Sequence, residues 1–141
     1  MSLRIRALSA IHRVLYAASA GRVGRTLAGL PVLLLTTTGR RSAKPHTVPL
    51  TYFEDDGKIV LVASYGGRPH HPAWYLNLEA KPDVEVQIGG AGRPVRARRA
   101  TPEERARLWP RVVEGYSGYA AYQKKTAREI PLVILEPQPP T

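Results

Sequence analysis

The chain has 141 residues, 43% of them hydrophobic and 23% charged, enough for one domain with a real core and too apolar for a disordered chain. It contains no cysteine, which excludes a disulfide scaffold, a thiol nucleophile and a thiolate-ligated metal. The net charge of +10 is uneven: eight of the 21 basic residues and none of the 11 acidic ones precede Glu54, so the first third calls for an anionic partner such as nucleic acid, an acidic membrane surface or a phosphorylated cofactor.

In chain order, Leu3, Ala7, Leu8, Ile11, Leu15 and Ala18 fall near one face, which predicts a helix over 3–20 that Gly21 and Gly24 end. Two readings of it stay open. It is basic and apolar on one side, as an interfacial membrane helix is, and it could equally pack on its own domain. His12 and Arg13 interrupt any signal-peptide core, and no run reaches the length of a membrane span. The expected location is therefore cytoplasmic, with contact at the inner membrane face through residues 1–20 under the first reading. Residues 1–22 make an amphipathic segment, 23–137 the main domain and 138–141 a proline-rich tail.

The stretch from Pro31 to Tyr52 organises the domain. A β-branched apolar run from Val32 to Thr38 breaks at Gly39 into a basic turn, Arg40-Arg41-Ser42-Ala43-Lys44, and resumes as a strand from His46 to Phe53. Asp55-Asp56-Gly57 is a hairpin turn into the strand Lys58 to Ser64, which ends in Tyr65-Gly66-Gly67. Pro72 suits the first turn of a short helix carrying Trp74, Tyr75 and Asn77. Val84 to Ile88 and Arg93 to Ala100 make another hairpin around Gly89–Gly92, with Val95 and Ala97 inward. Thr101-Pro102-Glu103-Glu104 is a capping box, and Pro110 is expected to kink or split the helix it opens. A further helical piece carries Tyr116, Tyr119 and Tyr122, and Ile130 to Glu136 is a last strand. Hairpins dominate without βαβ alternation, so the fold class is a small antiparallel β-barrel with peripheral helices.

Three clusters carry chemistry. Arg40, Arg41, Ser42 and Lys44 could clamp a phosphate or carboxylate, or be a solvated basic turn. Trp74, Tyr75, Tyr116, Tyr119 and Tyr122 could stack on a planar ring, or pack the barrel end. His12, His46, His70 and His71 lack a carboxylate at ligand spacing, so no metal is expected. Residues alone suggest a barrel suited to a phosphorylated aromatic ligand.

LLLTTTGRRS (Leu33–Ser42), VASYGG (Val62–Gly67), PAWYLN (Pro72–Asn77) and TPEERARLW (Thr101–Trp109), followed by Tyr116–Tyr122 and REIP (Arg128–Pro131), resemble the deazaflavin-dependent nitroreductase family of actinobacteria. The resemblance implies a split β-barrel, similar to FMN-binding barrels, that holds coenzyme F420. That cofactor is an 8-hydroxy-5-deazaflavin with a phosphate and an oligoglutamate tail. It further implies an oxidoreductase passing hydride to a quinone or nitroaromatic acceptor. By position, Arg40, Arg41 and Ser42 match the phosphate and tail turn, with His46, Val48 and Pro49 beside it. Ala63, Ser64, Tyr65 and Gly66, with Pro72, Ala73, Trp74, Tyr75 and Asn77, match the deazaflavin pocket. Tyr116, Tyr119 and Tyr122 match the substrate wall, with phenols able to donate hydrogen bonds. Three positions depart from the family pattern: Arg41 for lysine, Ala43 for glycine in the basic turn, and Tyr65 where lysine can occur. The alternatives are an FMN-binding split-barrel oxidoreductase and a nucleic-acid-binding barrel. The latter rests only on the basic pI, and the strand Arg93–Arg99 lacks the interleaved aromatics that base stacking needs.

Overall fold

The computed structural model describes residues 26–27 and 30–138; the expected helix over 3–20 and the end of the tail lie outside the described residues. The strands are β1 (Thr26–Leu27), β2 (Leu30–Thr38), β3 (Pro45–Thr51), β4 (Phe53–Asp55), β5 (Lys58–Val62), β6 (Asp83–Ile88), β7 (Ala91–Arg99) and β8 (Leu132–Pro137). The helices are α1 (Ala73–Ala80), α2 (Pro102–Gly115) and α3 (Gly118–Lys124).

Chain connectivity closes the sheet. All pairings are antiparallel, and the order β2-β6-β7-β8-β5-β4 leaves β3 on the other edge of β2. β3 and β4 therefore sit at opposite ends of the sheet, yet only Tyr52 separates them in the chain. The two ends can share one continuous segment only if the sheet curls round on itself, as in a split barrel. The sequence reading of one strand from His46 to Phe53 spans both.

Alternation sorts the side chains into two apolar layers. Leu33, Leu35, Ile59, Leu61, Val84, Val86, Val95, Ala97, Val133 and Leu135 point into the barrel, where Tyr75 and Leu78 of α1 cap them. Val60, Val62, Leu132 and Ile134, one residue out of phase, face outward against Leu108 and Val112 of α2 and Tyr119 of α3. Covering on both faces is why β5 and β8 read as unbroken apolar runs rather than as alternating ones.

The turns follow local chemistry. Asp56 and Gly57, at φ 50° and 77°, make the two-residue turn between β4 and β5. The β6–β7 hairpin is tighter than expected: Ile88 pairs with Ala91, so the turn is Gly89-Gly90 and β7 starts before Arg93. Thr101 caps α2 by accepting from the Glu104 backbone at 3.2 Å, while the Glu104 carboxylate accepts from the Thr101 amide at 2.8 Å. Pro110 does not split this helix, which continues to Gly115. Pro110 costs one backbone bond, and packing of Leu108 and Val112 on the barrel wall holds the segment helical across it.

Candidate active site

The basic turn between β2 and β3 is built to a fixed shape. The Gly39 amide donates to the Lys44 carbonyl at 2.8 Å and the Ala43 amide to the Gly39 carbonyl at 2.9 Å. Ala43 takes φ 60°, a left-handed conformation that the glycine of the family pattern would adopt more readily. A Cβ at Gly39 would lie 2.5 Å from Ser42 Oγ and 2.7 Å from His46 Nε2, so glycine is what lets those two side chains close over the turn. Ser42 Oγ and His46 Nε2 are themselves 3.3 Å apart.

A buried amide ties the turn to α1. Asn77 is 4% exposed, and its Oδ1 accepts from the Arg40 amide at 3.2 Å and from Arg40 Nη1 at 3.0 Å. Its Nδ2 donates to Thr37 Oγ1 at 3.2 Å. The buried Thr36 is satisfied by Thr47, Oγ1 to Oγ1 at 2.8 Å. Two buried threonines of the TTT run are thus partnered, one of them as an anchor for the cations.

Two cavities meet at Trp74. The first, about 360 Å³, is lined by Thr37, Gly39, Arg40, Arg41, Ser42, His46, Val48, Ala73, Trp74 and Asn77. The second, about 590 Å³, takes Leu50, Thr51, Leu61 and Val62 from the sheet, Ser64, Tyr65, Gly66 and Arg68 from the next loop, Pro72 just before α1 and Trp74 within it. Leu30, Tyr116, Tyr119 and Tyr122 complete it. Val48 and Leu50, two apart on β3, share one face, so the strand runs from one cavity to the other. Gly66 lines the second cavity at φ 63°, and a Cβ there would meet no atom within 4 Å.

The tyrosines converge, though not on one helical face. Tyr116 is extended at φ −152° and ψ 103°, ending α2, and α3 begins only at Gly118. The rings still meet, Tyr116 and Tyr119 edge to face at 5.0 Å. The Tyr116 and Tyr122 hydroxyls are 3.3 Å apart, and the Tyr119 hydroxyl is 2.9 Å from Thr51 Oγ1. The hydrogen bond with Tyr122 raises the Tyr116 phenol above its ordinary pKa, and burial raises that of Tyr119, so both stay protonated at neutral pH.

Of the residues expected at the site, Pro49, Ala63 and Tyr75 line neither cavity. Pro49 is exposed on the opposite face of β3 from Val48. Ala63 and Tyr75 are fully buried in the core, where the Tyr75 hydroxyl donates to Glu79 Oε2 at 3.2 Å. Leu30, Thr37, Gly39, Leu50, Thr51, Leu61, Val62 and Arg68 line the cavities although the sequence did not single them out as site residues. A strand's inward period could have nominated Leu50 and Leu61; nothing marked Arg68.

A family model for F420H(2)-dependent quinone reductase matches residues 8–137. The chain belongs to the F420H(2)-dependent quinone reductase family. An F420H(2)-dependent quinone reductase of Mycobacterium tuberculosis is 42% identical over 129 residues, 89% of this chain and 87% of its own. The solved structure of an F420-H2 dependent reductase, FDR-A, is 48% identical, covers 75% of this chain and 94% of its own, and superposes with a TM-score of 0.68. A chain solved as a domain-swapped dimer is 40% identical over 96% of this chain and 100% of its own, with a TM-score of 0.69. As a member of this family the chain is an oxidoreductase, its fold is the split barrel, and its cofactor is F420.

The residues fit that cofactor. A planar deazaflavin needs an apolar, open slot, and Leu50, Leu61, Val62 and Trp74 with the bare Gly66 provide one. A phosphate and glutamate tail needs cations not already neutralised. Among the described residues no carboxylate pairs with Arg40, Arg41 or Lys44.

Proposed function

We propose that the chain reduces a quinone in the 590 Å³ cavity, with the F420 phosphate and tail held by Arg40, Arg41 and Ser42 on the far side of Trp74. When bound, reduced F420 supplies the hydride. The protein's part is alignment, exclusion of water and handling of the accompanying proton. The observation that carries this reading is the phenol pair on the cavity wall. In a pair of hydroxyls one donates to the other, so one of the Tyr116 and Tyr122 protons remains free to point at an acceptor. As hydride reaches a quinone, negative charge grows on its oxygen. A phenol already in place there stabilises that charge mainly in the transition state. Tyr119, 6% exposed and engaged with Thr51, acts as wall.

The same slot, flat and apolar, would take electron-poor nitroaromatic compounds as well. Contact with an anionic membrane rests on residues 1–20, whose charges are Arg4, Arg6 and Arg13 with no acid. Among the described residues no helix is long and apolar enough to cross a membrane.

The experiment is Tyr116→Phe with Tyr122→Phe, which keeps both rings and removes both hydroxyls. Quinone turnover should fall by about tenfold or more, since positioned proton donors contribute on the order of a hundredfold or more. F420 binding and melting temperature should stay near parental values. Unchanged turnover in the double variant removes the catalytic role and leaves the rings a shape role only.

A further inference from the structure

The loop that forms one wall of the larger cavity, Ser64 to Arg68, takes an unusual course. Tyr65, Gly66 and Gly67 have φ of 48°, 63° and 78°, three left-handed residues in succession. Such a run is costly for a tyrosine and persists only where its surroundings impose it. Within the loop only two backbone bonds hold it, Gly67 amide to Ser64 carbonyl at 2.9 Å and Arg68 amide to Tyr65 carbonyl at 3.2 Å.

From outside the loop, Gly67 lies close against α3, where an added Cβ would sit 2.6 Å from the Tyr122 carbonyl oxygen, and one guanidinium bonds the loop's carbonyls. Arg128 Nη2 donates to the Ser64 carbonyl at 2.7 Å and Nε to the Arg68 carbonyl at 2.9 Å. Nη1 donates to the Ala63 carbonyl at 3.3 Å and to His71 Nδ1 at 3.0 Å. The fork therefore grips the loop at its entry, its exit and the residue that leads on to α1. Because arginine can only donate, Nδ1 of His71 is the acceptor and its proton sits on Nε2. Burial first, and then Arg128, hold that histidine below its usual pKa, which keeps Nδ1 available. The Gln123 side chain fixes Arg128 in turn: its Nε2 donates to the Arg128 carbonyl at 2.8 Å. No carboxylate of the described residues pairs with this guanidinium, so its bonding capacity goes to the loop.

We propose that Arg128 is a positioning residue for the cofactor cavity: its guanidinium sets the left-handed run and thereby places Ser64, Tyr65 and Gly66 where the deazaflavin ring needs a backbone wall. The inference rests on the assignment of the larger cavity to the deazaflavin. A lysine cannot replace the fork, because an ammonium has three donors in a compact head and cannot span carbonyls five residues apart together with an imidazole. Arg128 lines neither cavity, so its effect passes through the loop.

Two measurements on the full chain test this. In the ligand-free protein, hydrogen exchange at the Gly67 and Arg68 amides should accelerate about tenfold or more in Arg128→Ala and clearly in Arg128→Lys, with β5 exchanging as in the parent. In fluorescence titration with F420, both variants should bind about tenfold or more weakly, while the dependence of binding on salt, set by Arg40 and Arg41, keeps its slope. Val95→Ala, a buried β7 core residue that lines neither cavity, serves as the stability control: it should lower the melting temperature without changing F420 affinity. Loop amides that exchange as in the parent overturn the proposal, and so does a loosened loop with parental F420 affinity. A parent protein that binds no F420 strikes the cavity assignment instead, and exchange at Gly67 and Arg68 then decides whether Arg128 sets the loop.

Discussion

Along β7 and α2, Arg96, Arg98, Arg99, Arg105, Arg107 and Arg111 are answered by carboxylates. Arg98 forks onto Glu104 at 2.6 and 2.8 Å and reaches Glu136 at 2.8 Å. Arg107 and Arg111 share Asp55 at 3.0 Å each, and Arg99 and Arg105 share Glu129 at 2.9 and 3.4 Å. In the turn between β2 and β3 no carboxylate of the described residues answers the cations: Arg40 meets the neutral amide of Asn77, and Arg41 stands exposed. Both regions are arginine-rich, but they differ in purpose. A cation already neutralised by its own chain helps to hold the fold, and one held in place without a counter-charge is ready for a ligand. Net charge alone cannot make that distinction; partner geometry does.

The largest effect should come from breaking the unanswered side. Arg40→Ala with Arg41→Ala should weaken F420 by about tenfold or more, since charge-assisted hydrogen bonds contribute about 1.5–3 kcal/mol. Melting temperature should hardly move, because no carboxylate is left orphaned. Titration in low salt, beside a thermal melt, checks both halves. Arg98→Ala on the answered side should do the reverse. Glu104 would keep only the Thr101 amide and Glu136 only Lys58 at 3.5 Å, and after allowance for solvent screening stability should fall by about 1–2 kcal/mol, read from urea denaturation, with F420 affinity unchanged.

Acid sharpens the contrast. The Arg98 fork and the Thr101 backbone bond hold Glu104 down at about 2, against an ordinary carboxylate value of 4.5. A depressed pKa adds stability that is fully present above the unfolded value and is lost as pH falls from about 4.5 through about 2. Glu104→Gln retains a side chain able to close the capping box but cannot ionise. Its urea midpoint should therefore lose part of the parent's fall across that pH window. The smallest effect should be at Asp55→Asn, where the paired arginines are more than half exposed, at 56% and 58%. A melting temperature several degrees below the parent would show that this pair carries more than surface ion pairs usually do.

Much of the barrel was legible in the sequence because its signals are local. The Asp56-Gly57 hairpin, the Thr101–Glu104 box and the Val95/Ala97 alternation each depend on residues a few positions apart. Both halves of the candidate site were legible through their residue types, cations at 40 and 41 and aromatics at 74, 116, 119 and 122. What escaped depends on contacts across the fold. Arg128 lies about sixty residues from the loop that it grips, and nothing in REIP distinguishes it from a solvated arginine. Asn77 reads as a pocket residue and also proves to be the anchor of a turn 37 residues away. Tyr75 and Trp74 are neighbours in sequence, yet helix geometry sends one into the core and the other between the cavities.

The central claim is that the Gly39–Lys44 turn reads the anionic tail while the cavity beyond Trp74 reads the ring. The direct measurement is a binding cycle by fluorescence, in which the parent and the Arg40→Ala, Arg41→Ala variant are each titrated with F420 and with the bare deazaflavin chromophore lacking phosphate and glutamates. The account predicts that the variant loses affinity for F420 and binds the tailless chromophore as tightly as the parent does. An equal loss for both ligands would contradict it, since the arginines would then be supporting the ring cavity rather than the tail.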